Sequence, residues 1–185
     1  LGVQPLPFKN LKDTYPMING RGYPDTANPD PLPSPMEGGQ SLNNGMQSQP
    51  INSLITAVKG DRILLRLSNL SVTDYFTITA QGLPMKVVGQ GARQLRGPET
   101  TTGANNGPTL YYDTSSVTIG GGESMEVIID TASLDPIPVG QTRTYFLYTT
   151  NLNLLSNFDQ DFGGMMTEIV IAIAPINTRA GGNPK

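Results

Sequence analysis

The density of glycine and proline is the feature that most restricts how this chain can fold. The 185 residues include 21 Gly and 16 Pro, and breakers at this density leave few uninterrupted runs that are long enough for an α-helix. Short strands separated by turns accommodate the same composition. The sequence therefore predicts an all-β domain, and its length is sufficient for one domain with a substantial hydrophobic core.

Short β-rich runs predict the individual strands. Within residues 62–69, Ile63, Leu65 and Leu67 fall on one face by the two-residue period of a strand. We also expect the runs 75–80 and 85–88 to pair as a hairpin across the turn that separates them. The predicted strands are residues 51–58, 62–69, 75–80, 85–88, 110–112, 116–119, 124–130, 142–150 and 166–174.

The segments between and around the strands predict the domain organisation. Residues 23–50 carry prolines at positions 24, 29, 31, 33, 35 and 50, so this segment is predicted to be a long loop. A loop of this length in a compact domain is commonly functional or packed on a neighbour, and we interpret it as a contact with a neighbouring domain. The chain is thus one domain over residues 1–185, with a core at 15–174 and a tail or linker at 175–185.

Charge and hydropathy exclude two classes of partner. The chain has 12 basic and 15 acidic residues, a formal net charge of -3, and no basic cluster that would neutralise a row of phosphates, so we expect no nucleic-acid partner. The longest apolar run, residues 169–174, is far shorter than the roughly 20 residues of a membrane span. Position 1 is Leu and both ends resemble linkers. We therefore expect either a mature product after signal removal or a piece of a longer protein, and the second agrees better with these ends.

Histidine and cysteine are both missing from the sequence. Their absence excludes a Ser-His-Asp mechanism, a thiol nucleophile, a disulfide framework and an iron–sulfur cluster. The two glycine-rich stretches, 120–122 and 181–182, precede no helix that would bind phosphate, so we interpret them as a turn and a tail. No catalytic residue is therefore predicted in this chain.

Loop carboxylates offer a possible calcium site. Asp25, Asp30, Asp159 and Asp161 carry oxygen donors of the kind that Ca²⁺ prefers. The segment 158–163 is similar to the start of a calcium loop but lacks its later ligands. We therefore favour solvated loop carboxylates over a metal site.

Four tyrosines offer a possible aromatic binding face. Tyr111, Tyr112, Tyr145 and Tyr148 all fall in or beside predicted strands. Tyrosines at such positions more often complete a sandwich core while their hydroxyls reach solvent. The second interpretation is the one that we favour.

Four motifs, in a fixed order along the chain, carry a resemblance to a known family. The resemblance runs from about residue 15 to residue 174, nearly the whole chain, and the second motif is the most specific. Their sequences are MINGRGYPDT at residues 17–26, VKGDRILLRLSNL at 58–70, GLPMKVVGQG at 82–91 and GGMMTEIVI at 163–171. Together they resemble a cupredoxin-type domain of the multicopper oxidases, the family of laccases, copper efflux oxidases and bilirubin oxidases. The resemblance implies a cupredoxin-like Greek-key β-sandwich with a long Pro/Gly-rich loop.

The sequence departs from this family at the copper ligands. Copper-binding members place histidines before the third motif and a His-Cys-His run after a strand that resembles residues 145–148. Here Thr149, Thr150 and Asn151 follow that strand. Met165 and Met166 fall near the position of an axial methionine, but a thioether needs imidazole and thiolate partners to hold type 1 copper, so we interpret both as gap-filling side chains. The prediction is that no residue of this chain binds copper.

These observations imply a function by resemblance. The chain is predicted to be a copper-free structural domain, most like the middle domain, of a multicopper oxidase-like protein. The parent would couple one-electron substrate oxidation to O₂ reduction, with copper held only outside this chain, and would be periplasmic or extracellular. Its partners would be neighbouring cupredoxin domains or subunits. The alternative is a secreted or surface β-sandwich that acts as a binding or assembly module with no catalytic role.

Overall fold

The fold was analysed in a computed structural model, which describes residues 14–47, 49–98, 107–158 and 163–173. The described part is built from strands, and its helical elements are three 3₁₀ turns at Asp25–Ala27, Thr131–Ser133 and Leu152–Leu154. None of these is long and apolar enough to cross a membrane. The strands are β1 Met36–Glu37, β2 Gln40–Ser41, β3 Ile55–Val58, β4 Arg62–Ser68, β5 Phe76–Ala80, β6 Met85–Gln90, β7 Arg93–Gln94, β8 Tyr112–Thr114, β9 Ser116–Ile119, β10 Ser124–Asp130, β11 Thr142–Thr149 and β12 Met166–Ala172.

Two five-stranded sheets form a sandwich. Sheet A has the order β4-β10-β6-β7, with β8 also paired to β6, and sheet B has the order β3-β12-β11-β5-β9. Every pair is antiparallel except β3 with β12. Strands β1 and β2 form a separate small hairpin. The predicted all-β sandwich is confirmed.

The core lies between the sheets and follows the two-residue period of the strands. In β10, Met125, Val127 and Ile129 are buried, and in β12 Ile169 and Ile171 are completely buried. These side chains belong to one continuous apolar cluster that draws on both sheets. At about 25 cal/mol per Å² of apolar surface, burial of this alternating set is the main term that holds the sheets together.

The hairpin predicted between residues 75–80 and 85–88 is wrong. β5 pairs with β9 and β11 in sheet B, whereas β6 pairs with β7, β8 and β10 in sheet A. Residues 81–84 therefore carry the chain from one sheet to the other, and Leu83 is buried between them. The alternation of apolar residues predicts which face of each strand points to the core, but strands of either sheet satisfy it equally.

The predicted long loop contains a little regular structure. Within residues 23–50, β1 and β2 form a hairpin of two residues on each side, closed by Gly38 and Gly39 at positive φ. The strand predicted at residues 51–58 begins only at Ile55, because the Asn52 side chain accepts from the Leu54 N–H at 3.1 Å in a local turn.

Candidate functional site

The position where a copper ligand set is expected lies at one end of sheet B. Thr149, at the end of β11, is the cross-strand partner of Ile78 in β5. Its N–H donates to the Met165 carbonyl at 3.0 Å, just before β12 begins. Thr149 and Met165 are both buried. The fold thus brings together the two regions that the family resemblance singled out.

The polar groups at this position cap the backbone. The Thr149 hydroxyl accepts from the Asn151 N–H at 3.3 Å, and the Asn151 side chain accepts from the Asn153 N–H at 3.2 Å at the start of the turn Leu152–Leu154. The Thr150 N–H donates to the Thr77 carbonyl. These hydroxyl and amide oxygens are not the imidazole and thiolate donors that type 1 copper requires.

The two methionines near the expected axial position have different environments. Met165 is buried and belongs to the apolar core cluster. Met166 begins β12 and is half-buried, opposite Tyr148 on the outer side of sheet B. One thioether among hydrocarbon side chains, without imidazole or thiolate, is not a copper site, so the residues present do not fit the metal that the family implies.

An apolar cleft of about 750 Å³ opens at this end of the sandwich. Its walls come from both sheets and from the segment that precedes the first motif's turn. The described residues that line it include no charged side chain. Six that form its apolar walls are Ile18, Leu67, Phe76, Ile119, Leu147 and Met165. A cleft of this size and character is suited to an apolar ligand or to side chains of a neighbouring surface.

Asn69 forms the polar edge of the cleft. Its side-chain amide donates to the carbonyls of Asp74 and Ile119, each at 2.8 Å, and accepts from the Ser71 N–H at 2.8 Å. The residue is 4% exposed. Since its side chain already joins the β4–β5 loop to the end of β9, Asn69 has a structural role. In the sequence Asn-Leu-Ser at residues 69–71, the polar groups form hydrogen bonds within the chain.

Arg21 is the functional-motif residue that sequence reasoning missed. It is 1% exposed, and its guanidinium donates to the carbonyls of Asp25 at 2.9 Å, Asn28 at 2.7 Å and Asp30 at 2.9 Å, and twice to the carbonyl of Gln49. The charge is therefore balanced by backbone dipoles that belong to the long loop. The sequence feature that could have identified it is a cation directly after an Asn-Gly pair. The bridge between Ile18 and Arg21 shows that this pair forms a turn.

The same motif ties the loop to β12. The Tyr23 hydroxyl donates to Glu168 Oε1 at 3.0 Å, and the Thr26 hydroxyl donates to the Met166 carbonyl at 2.6 Å. The Tyr23 N–H donates to the Gly164 carbonyl at 3.1 Å. Partial burial and the adjacent Glu168 carboxylate raise the pKa of Tyr23. The start of the long loop is therefore fixed to the sheet.

The structure describes two of the four carboxylates that were considered for calcium. In the described part of the chain, no group of three or more acidic residues is placed to hold a metal ion. Asp25 and Asp30 instead offer their carbonyls to Arg21. Asp159 and Asp161, like Gly181 and Gly182, lie outside the described residues.

The four tyrosines do not form one binding face. Tyr145 points into the sandwich and packs on the core, whereas the neighbouring outward residue Tyr148 donates its hydroxyl to Gln81 at 3.2 Å. Tyr111 and Tyr112 lie beside sheet A, where the Tyr111 ring is 5.6 Å from the Arg96 guanidinium carbon. The four side chains are thus divided between two sheets and opposite faces.

The fold and its comparisons define the class of protein. The architecture is a cupredoxin-like Greek-key β-sandwich, as the motifs predicted. The sequence matches the multicopper oxidase family over residues 9–160. The chain belongs to the multicopper oxidase family.

Known structures and sequences give further comparisons. A blue copper oxidase from Nitrosomonas europaea is similar at 20% identity and a TM-score of 0.48, covering 79% of this chain and 44% of that one. A multicopper oxidase from Pseudomonas thermotolerans is 17% identical, with a TM-score of 0.44 and coverage of 64% and 22%. The McoA multicopper oxidase of Aquifex aeolicus is 18% identical, with a TM-score of 0.42 and coverage of 66% and 22%. The chain thus spans less than half the length of these structures. No curated protein sequence matches it.

Proposed function

We propose that this chain is a copper-free structural domain, most like a middle domain, of a multicopper oxidase-like protein. The observation that carries the proposal is the composition of the position expected to hold copper. There Thr149 and Asn151 cap the backbone and Met165 packs among hydrocarbon side chains. A family member without imidazole or thiolate supports the domains around it, because it has no ligands with which to relay electrons.

The parent protein of this proposal performs chemistry that lies outside the chain. It couples one-electron oxidation of a substrate to the reduction of O₂ to water, with all copper bound by other domains. Residues 1–185 form a single domain in it, with a core at 15–174 and a tail or linker at 175–185. The parent is periplasmic or extracellular.

The long loop supports a contact with a neighbouring domain. Residues 23–50 are held at their base by Arg21, and the loop exposes Met36, Leu42 and Met46, each with at least 60% of its surface accessible. Apolar side chains displayed on an anchored loop favour burial against a second surface. The loop would thus fix the orientation of the adjacent domain.

The test of this proposal uses the full-length native protein. We expect a mass well above 19.8 kDa and several copper atoms per chain by elemental analysis of the same sample. A copper-free species of about the chain's own mass would overturn the proposal. The loop contact has its own test. Leu42→Lys, at a site 60% exposed, is expected to increase proteolysis between domains, whereas Val139→Lys, at a site 68% exposed in the segment before β11, is not.

The apolar cleft favours a second candidate function. A surface β-sandwich without a catalytic partner would use a cleft of about 750 Å³ to bind an apolar ligand. Such a module would bind the neutral hydrophobic dye Nile red saturably, at one site per chain. Leu154→Trp, which fills the cleft wall, would abolish the binding, whereas Leu152→Trp, on the same turn but 74% exposed and outside the cleft, would preserve it. Unsaturable dye binding in both variants would reject this function.

A further inference from the structure

The outer face of sheet A is strongly charged. Among its outward residues, Arg62 pairs with Asp130 at 3.3 Å and Lys86 with Asp113 at 3.7 Å. Exposed Arg66 lies directly across from Glu126 in the β4/β10 pair. A face with charges of both signs is typical of a surface that stays in water.

The outer face of sheet B is almost free of charge. Its outward residues alternate with the buried core residues of the same strands, and the register places them on one side of the sheet. Glu168 is the one charged side chain among them; it is the cross-strand partner of Phe146 and accepts from the Tyr23 hydroxyl. The face consists of Thr56, Val58, Thr77, Thr79, Ser116, Thr118, Thr142, Thr144, Phe146, Tyr148, Met166, Glu168, Val170 and Ala172; we refer to it as the neutral face.

Several hydroxyls of the neutral face already have partners within the chain. Thr77 and Thr118 share a hydrogen bond of 2.9 Å across β5 and β9, and Thr79 donates to the Ser115 carbonyl at 2.7 Å. Phe146 lies near the middle of the face and is 40% exposed. Burial of these three threonines costs little in desolvation, because their hydroxyls keep their hydrogen bonds when water leaves.

The size of the neutral face agrees with an interface between domains. Five strands spaced about 4.8 Å apart, with a rise of about 3.3 Å per residue, give a surface of about 500 Å². Interfaces between domains of one chain bury about 600–1,500 Å² in total, counted over both sides. One face of this size is therefore sufficient for one partner surface.

We propose that the neutral face is the surface on which another cupredoxin-type domain of the same parent protein docks, through an uncharged surface of its own. The inference rests on the proposed function, which supplies the second domain. The partner surface is uncharged, since Glu168 already accepts from Tyr23 and a charge placed against the paired threonines would lose its water without gaining a counter-ion. The charged face of sheet A remains in water.

Thiol labelling of the full-length protein tests this assignment. The chain has no cysteine, so Thr144→Cys places a single thiol on the neutral face, and Arg66→Cys is the matched control on sheet A; both positions are exposed in the chain described here. In the folded parent, we expect a polyethylene-glycol maleimide to label Cys at position 144 at least about tenfold more slowly than at position 66, because a docked face reacts only when it opens. Both sites should label equally in denaturant, as read by peptide mass spectrometry.

The outcomes separate this inference from the proposed function. Equal labelling in a protein that contains copper would overturn the docking face and leave the proposed function intact. Slow labelling in a larger protein without copper would support the docking face while overturning the proposed function. Protection that disappears on dilution would identify a second copy as the occupant and so overturn the proposal. As a second measurement, Phe146→Lys is expected to restore fast labelling at position 144, and Leu64→Lys on sheet A is expected to leave it slow.

Discussion

At the scale of single residues, Arg21 shows how a surface-type side chain becomes part of the interior. Its guanidinium is buried and bonds to backbone carbonyl oxygens of Asp25, Asn28, Asp30 and Gln49. A planar fork with five donors matches several carbonyls at once, which the single ammonium of lysine does not. The loop that these carbonyls belong to is therefore held by one side chain.

The first prediction concerns the Arg21 guanidinium. Arg21→Lys is expected to destabilise the domain by about 3 kcal/mol, because buried carbonyls lose their donors while a charge stays buried. The measurement is urea unfolding followed by circular dichroism. Arg66→Lys, on the exposed side of β4, is the control and should change stability by no more than about 0.5 kcal/mol. Equal stability of the two variants would contradict the role given to Arg21.

The second prediction concerns Tyr23. Burial and the Glu168 carboxylate raise the pKa of its hydroxyl above the ordinary value of 10.0. A raised pKa in the folded state means that the contribution of Tyr23 to stability is complete below the unfolded value and is lost as pH rises through the folded one. Phenolate absorbance should thus show one tyrosine that titrates above the ordinary range of the side chain, and Tyr23→Phe should remove it. Stability of Tyr23→Phe should fall less steeply at alkaline pH.

At the scale of elements, the connection from β11 to β12 shapes the end of the sandwich where the cleft opens. The Met165 N–H donates to the Leu154 carbonyl at 2.9 Å, and Gly164 has φ of +77°. A Cβ at Gly164 would collide with the Leu154 carbonyl oxygen. Only glycine allows the chain to pass this close to the preceding turn before it enters β12.

The third prediction compares two glycines with nearly the same φ. Gly164→Ala is expected to cost about 3 kcal/mol from strain and collision together, whereas Gly140→Ala, with φ of +80° and no described atom near its added Cβ, should cost about 1 kcal/mol from strain alone. Thermal unfolding of both variants measures the difference. If the two substitutions cost the same, the close approach at Leu154 does not constrain the connection.

At the scale of the whole molecule, one hydrophobic core lies between two sheets whose outer faces differ in charge. Strands β10 and β12 alternate strictly, so Val127, Ile129, Ile169 and Ile171 are all completely buried between the sheets. The charges collect outside sheet A, and the apolar and hydroxyl side chains collect outside sheet B. The domain is thus stable by its own core, while one face and one end remain suited to contacts.

The fourth prediction concerns copper and the isolated domain. Added Cu(II) is expected to produce no intense blue absorption, because that band requires a thiolate and the chain has no cysteine. The unfolding temperature should be unchanged by a chelator. A fall in that temperature on chelation would reveal a metal bound by oxygen ligands and would contradict the prediction that this chain holds none.

Much of the fold follows from local patterns. The alternation in residues 62–69 predicted β4 and its buried face. The hairpin of residues 75–80 with 85–88 was wrong, because the choice of partner strand is made over long separations in sequence. Arg21 was missed for the same reason: its acceptors reach as far as Gln49.

The sequence by itself determined the all-β class, the inward face of each main strand and the lack of imidazole and thiolate, since each depends on composition or on near neighbours. The tertiary structure alone decided which strands share a sheet, how the loop carbonyls enclose Arg21, and that most charges lie outside one sheet while Glu168 is the one charged residue on the outer face of the other. These properties depend on strand partners, and the hydrophobic pattern that buries a strand does not specify the strand beside it.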